Sequence, residues 1–203
     1  AFWELNTDSD VLSITGFGDI TDFYSGTQPW YALRSEIKTV LINEGITKIG
    51  RTSFSDCNSL TNISLPGSLI RIEGSAFSGC SALSYVYLPV GISSIGMYAF
   101  NGCSSLSGIT LPAGIFSIDE STFKGCISLS SITILGNLTS IGRNAFDGCS
   151  ALNGIAIPAS VNTIDYAAFK GCTGLTSVTI PAGVMYVNGF SGGNGAFYGC
   201  TNL

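Results

Sequence analysis

From Ile37 onward the apolar positions repeat on a period much longer than any single helix or strand. Leu83, Val86 and Leu88 open one copy, Pro89 stops it, Ile92 and Ile95 follow, and Phe100 and Cys103 close it. The same slots are filled by Leu60, Ile63, Leu65, Leu69, Ile72, Phe77 and Cys80, and by Leu106, Ile109, Leu111, Ile115, Ile118, Phe123 and Cys126. Cys57, Cys80, Cys103, Cys126, Cys149 and Cys172 succeed one another every 23 residues, and Cys200 follows after 28. A fixed period in this range is the signature of a solenoid, propeller or array. Alternate apolar residues such as Val86 and Leu88 predict a strand with one face inward. Pro66, Pro89, Pro112, Pro158 and Pro181 end those strands, because proline has no N–H for a ladder.

Each copy then predicts an entering strand, a return segment through the second pair of aliphatics, and a helical or 3₁₀ turn over Ala-Phe-x-Gly-Cys. Val40, Ile63, Val86, Ile109, Ile132, Ile155 and Val178 would lie in seven parallel strands of one sheet, roughly 30–35 Å long at about 4.8 Å per strand. No coil this thin buries its own apolar side, so stability comes from stacking equivalent positions, above all Phe54, Phe77, Phe100, Phe123, Phe146, Phe169 and Phe197. The last copy carries five extra residues between Val187 and Phe197, an insertion expected to bulge as a loop.

Residues 1–36 do not fit the template and predict a cap, with 37–203 as the solenoid. Phe2–Leu5 and Val11–Thr15 flank the turn-rich Asn6-Thr7-Asp8-Ser9-Asp10 and form a hairpin with Leu12 and Ile14 inward. Pro29 suits the start of a short helix bearing Trp30, Leu33 and Ile37 on one side.

Composition narrows the function. Apolar residues at 45% exclude disorder, and 26 glycines fit short strands joined by tight turns. The net charge of −5, without histidine or any basic run, argues against nucleic acid. No window is long and apolar enough for a spanning helix, so this segment is not expected to insert in a membrane. The residues from Ala1 onward do not read as a signal peptide, so the sequence is expected to be a mature or excised piece. The strand residues following Cys200 are missing at Leu203, so the natural polypeptide is expected to continue, and the uncovered rungs around Val178, Val184 and Phe197 would favour end-to-end self-association.

Candidate chemistry is sparse. Stacked cysteines with parallel side chains oppose the disulfide torsion, and seven buried thiols acting as small apolar fillers are expected. Their spacing suits no zinc site, and no metal or cofactor is expected. Glu73, Asp119-Glu120 and Asp165 stand where other copies have glycine and are expected to cap the following turn. Asp8 and Asp10 could hold calcium loosely or simply be solvated. Gly192-Gly193-Asn194-Gly195 lacks the Lys-Ser/Thr of a phosphate loop. Asn62-Ile63-Ser64 and Asn137-Leu138-Thr139 match the glycosylation pattern, which also arises by chance in a Ser/Thr-rich chain. No catalytic residue is expected.

The outward strand positions remain, among them Asn62, Ser64, Tyr85, Tyr87, Thr110, Thr133 and Thr179. They form the candidate ligand-binding surface, mostly small and uncharged. Tyr85 and Tyr87 stand out as rigid apolar plates with polar tips, suited to a protein partner or sugar stacking, or merely to covering neighbouring rungs.

The unit Leu-Pro-x-x-Ile-x-x-Ile-Gly-x-x-Ala-Phe-x-Gly-Cys-x-x-Leu-x-x-Ile resembles the Treponema-pallidum-type leucine-rich repeat of BspA-like surface proteins. Leu12-Ser13-Ile14-Thr15-Gly16-Phe17-Gly18 and Pro29-Trp30-Tyr31 resemble the opening of such proteins. The resemblance implies a leucine-rich-repeat solenoid, secreted or at a microbial cell surface, non-enzymatic, adhering to host matrix proteins or other cells. The alternatives are a glycan-binding module of a larger secreted protein and a ligand-free spacer.

Overall fold

The structure, a computed structural model, describes residues 1–188 and 195–203. Most of the expected insertion, residues 189–194, lies outside the described residues.

Strands β1 (Phe2–Asn6) and β2 (Val11–Thr15) form the expected antiparallel hairpin, Trp3 facing Ile14 and Leu5 facing Leu12. The side chain of Asn6 accepts the N–H groups of Asp8 and Ser9 and so closes the turn. A short β3 (Gly18–Asp19) follows. The helix expected after Pro29 is a single 3₁₀ turn, Tyr31–Leu33, with Trp30 and Ile37 buried beside it. The chain then alternates between two sides. Strands β4 (Thr39–Ile42) and β5 (Ile46–Ile49) belong to the first coil, β6 (Asn62–Ser64) and β7 (Arg71–Ile72) to the next. After them come β8 (Ser94–Ile95), β9 (Gly108–Leu111), β10 (Ser117–Ile118), β11 (Ser131–Ile134), β12 (Ser140–Ile141), β13 (Thr163–Ile164) and β14 (Tyr186–Val187).

The single sheet of seven strands is corrected in two respects. On the entering side β2, β4 and β6 pair in parallel, and β9 pairs with β11, but the ladder is interrupted at the Tyr85–Leu88 segment, which keeps one bridge, Tyr85 to Gly108. The Ile155 and Val178 segments form no ladder among the described residues. Gly154 and Ala156 bring little β preference to the first, and the second is then left beside an unpaired neighbour. On the other side the return segments pair with their own equivalents, as β3-β5-β7-β8 and as β10-β12-β13-β14. The Ser93 N–H donates to the Ile70 carbonyl at 2.9 Å, and Asn162 repeats the bond to Thr139 at 2.9 Å.

The Ala-Phe-x-Gly-Cys unit holds bonds three residues apart, such as Cys80 N–H to the Phe77 carbonyl at 3.1 Å. It does not become a helix, because the residue two before each phenylalanine from Phe54 to Phe169 is left-handed. Thr52, Ser75, Tyr98, Ser121, Asn144 and Ala167 all have φ between 52° and 60°. That conformation costs roughly 1–2 kcal/mol in a non-glycine residue. It is offset by turning the N–H to the next coil, as Ser75 donates to Met97 at 2.9 Å and Phe77 to Ala99 at 2.8 Å.

The core is a set of ladders. Phe54, Phe77, Phe100, Phe123, Phe146 and Phe169 are fully buried and stack with centroids 5.2–5.7 Å apart, and Phe197, partly buried, continues the stack at 5.1 Å. Beside them the cysteines form no disulfide; six are buried and Cys200 is partly exposed. Each Sγ–H from Cys80 onward donates to the phenylalanine carbonyl of the preceding coil, as Cys103 does to Phe77 at 3.2 Å. Burial pushes every thiol pKa up, to about 12 for Cys57, Cys126 and Cys172.

Candidate functional site

Strand alternation decides which residues face out. Because Val40, Ile109 and Leu111 point into the core, Thr39, Leu41, Gly108 and Thr110 point away from it. The seven candidate residues, Asn62, Ser64, Tyr85, Tyr87, Thr110, Thr133 and Thr179, are all exposed. Three of them meet in one place. Tyr85, Tyr87 and Thr110 line a groove of about 300 Å³ together with Val86, Leu88, Val90, Pro112, Ala113 and Leu135. It lies where the entering-side ladder is interrupted. Asn62, Ser64, Thr133 and Thr179 are exposed on the same side but do not line it.

Two walls of this groove are residues the candidate set lacks. Val90, 84% exposed, stands where the first coil carries Glu44 and the others carry Gly67, Ala113, Gly136, Ala159 and Ala182. Leu135, 62% exposed, replaces the strand-ending proline of its siblings. Having an N–H, Leu135 donates to the Leu111 carbonyl at 3.1 Å and carries the pairing of β11 one residue further than a proline allows. Both departures are visible as breaks in the period.

Charge is absent from this surface. No charged residue occurs between Glu73 and Asp119. Beyond Asp119 the charges are Glu120, Lys124, Arg143, Asp147, Asp165 and Lys170, each in a turn between a return strand and its cysteine. Lys124 and Asp147 pair there at 3.1 Å. The expected carboxylate caps are mostly corrected. Asp119 accepts the Ser117 hydroxyl at 2.8 Å, Glu73 sits 3.9 Å from Arg71, and Asp165 alone of the three takes a following N–H, that of Tyr166 at 2.7 Å. The carbonyls of Glu73, Gly96 and Asp119 hold the turns instead, so no side-chain acceptor is needed.

Asp10 is engaged by Lys38 at 2.7 Å, a contact that raises the lysine pKa and links the hairpin turn to the start of β4. No group of three or more His, Cys, Asp or Glu among the described residues could hold a metal ion. Asn62 and Asn137 are both exposed. Another hollow, of about 330 Å³, lies on the turn side between Tyr24, Arg51, Met97 and Tyr98, above the small Gly74 and Ser75. What the strand side offers chemically is non-covalent contact through hydroxyls, phenols and aliphatic chains.

The model of the BspA type leucine-rich repeat region matches in six copies, over residues 30–153 and 93–203. The chain belongs to this BspA-type family. Among solved structures, the BspA-type chain is similar to a leucine-rich repeat protein from Bacteroides ovatus ATCC 8483, with 24% identity and a TM-score of 0.74 over 90% of this chain. It spans 52% of that protein, about half its length. It is also similar to the leucine-rich repeat protein of T. pallidum, with 24% identity and a TM-score of 0.48, over 74% of this chain and 87% of that one. A leucine-rich cell surface protein from Faecalibacterium prausnitzii A2-165 matches at 26% identity and a TM-score of 0.42, over 83% of this chain and 59% of that one. No curated protein matches the BspA-type chain. The leucine-rich-repeat solenoid expected from the sequence is thereby established. No helix among the described residues is long and apolar enough to cross a membrane.

Proposed function

We propose that this chain is a protein-interaction module working at a cell surface or in secreted form, and that it engages its partner through the strand side around Tyr85 and Tyr87. The observation that carries the reading is the groove itself: the two tyrosines, 59% and 65% exposed, stand over an uncharged hollow of about 300 Å³ flanked by exposed Val90 and Leu135. Clusters of large exposed apolar groups rimmed by polar residues mark interaction sites. The family resemblance supports an extracellular setting and adhesion to host matrix proteins or other cells.

The test is a titration of the protein against matrix proteins and glycans beside the variant Tyr85→Ala/Tyr87→Ala, with thermal melts as controls. Saturable protein binding that weakens in a variant with an unchanged melt supports the reading. Binding to glycans alone gives the glycan-module alternative, and absence of binding gives the spacer.

A further inference from the structure

We infer that the groove takes an uncharged apolar side chain, aliphatic or aromatic, from a protein partner, and that Val90 and Leu135 decide what it admits. The inference rests on the strand side being the interaction surface.

Three observations lead to this occupant. The first is size. At about 300 Å³ the groove lies at the lower end of ligand clefts, enough for one or two side chains but not for an extended oligosaccharide. The second is wall chemistry. Val90, Leu135, Pro112 and Ala113 offer hydrocarbon, and the polar side-chain groups are the hydroxyls of Tyr85, Tyr87 and Thr110. A sugar ring entering here would lose water from several hydroxyls and regain few hydrogen bonds, which is unfavourable for buried polar groups.

The third is charge. With no ionic side chain between Glu73 and Asp119, and none on the entering-side strands or the loops that follow them beyond Glu44, a charged group in the groove has no counter-ion. Burying an unpaired ion is costly, so the partner's contacting patch is uncharged. Complementarity here means matched neutrality. The groove also occurs once in the array. It needs a bulky residue at the Val90 slot and a leucine two coils on in place of proline, and no other pair of coils has both. One partner segment therefore binds per chain.

The experiment is selection of a random peptide display library on the intact protein, followed by titration of the enriched peptides. The expected peptides share an apolar residue and no required charge, bind one per chain, and keep their affinity within about twofold from roughly 50 to 500 mM salt. Val90→Ser and Leu135→Ser each weaken them roughly ten- to a hundredfold, as removal of a buried aliphatic contact should. Met185→Ala, an exposed apolar residue on the return side, leaves binding unchanged. Peptides that depend on Tyr85 and Tyr87 but need a charge, lose affinity steeply with salt, or ignore Val90 and Leu135 overturn the occupant and leave the surface standing. Self-association abolished by Val90→Ser also overturns it, by making a second copy the occupant. Peptides indifferent to Tyr85→Ala/Tyr87→Ala, or no enrichment, overturn both the occupant and the surface.

Discussion

Trp30 lies against Phe54 with ring centroids 5.7 Å apart and planes 18° from parallel, the same spacing that separates Phe100 from Phe123 within the ladder. The indole is therefore the first rung of the aromatic ladder, although it precedes β4 and the first coil. Trp3 and Phe23 meet it edge-on at 6.0 and 5.6 Å, and its Nε1–H donates to the Ser53 carbonyl at 2.8 Å. Stacking stops there because the next rings are turned across the column.

Trp30→Ala should cost about 3–5 kcal/mol, the usual range for a buried aromatic. Trp30→Phe should cost much less, since it keeps the stack and loses mainly the indole hydrogen bond. Urea unfolding of the two variants measures both. Equal losses would mean that the hydrogen bond, not the stack, holds this end of the ladder.

Phe123→Ala, in the middle of the ladder, should likewise cost about 3–5 kcal/mol. Phe197→Ala should cost less, because that ring is only partly buried. A melt of the Phe123 variant indistinguishable from that of the unaltered protein would contradict the ladder.

Alkali should unfold this protein early. Burial raises the thiol pKa values above their ordinary value near 8.5, to about 12 for Cys57, Cys126 and Cys172. Between those limits the folded state holds protons that the unfolded state releases. The stabilisation is complete below about pH 8.5 and is lost as pH rises towards 12. Chemical denaturation at pH 7.5 and pH 10.5, with reductant present, should show the fall. Replacing Cys126 by alanine should make it shallower. At neutral pH a thiol reagent should modify Cys200 first, since it alone is partly exposed.

Backbone handedness gives a paired prediction. Ala167 has φ 54°, so Ala167→Gly should be neutral or stabilising by up to about 1 kcal/mol, against the usual effect of glycine. Gly125, with φ 72°, has room for a Cβ, whose nearest contact would be 3.7 Å away, so Gly125→Ala should cost about 1–2 kcal/mol from the dihedral alone. Thermal melts check the two signs.

The period, the inward residues and the phenylalanine ladder were legible in the sequence, because stacking forces equivalent slots to carry equivalent side chains. The second sheet was not. Its paired stretches, such as Arg71–Ile72 and Ser94–Ile95, are two residues long and too short to show alternation. The left-handed slot was hidden as well, since Thr52, Ser75, Tyr98, Ser121, Asn144 and Ala167 share no turn-forming type; an intercoil hydrogen bond from the N–H of each of the first five, not residue preference, goes with their φ. The candidate surface was half legible. Tyr85 and Tyr87 declared themselves by size and parity, whereas Val90 and Leu135 lie 45 residues apart and meet through the stacking of the coils.

The sameness of the rungs has an evolutionary corollary. Because each coil presents the ring, thiol and carbonyl that its predecessor presents, a whole coil can be duplicated or excised and the flanking coils will close on one another with every rung still matched. Such an event leaves the scaffold intact but changes what stands beside what. Excision of the coil between Val90 and Leu135 would bring those two walls onto adjacent turns and close the hollow between them. The array can therefore gain, lose or reposition a hollow of this kind by copying units, without a new side chain having to arise.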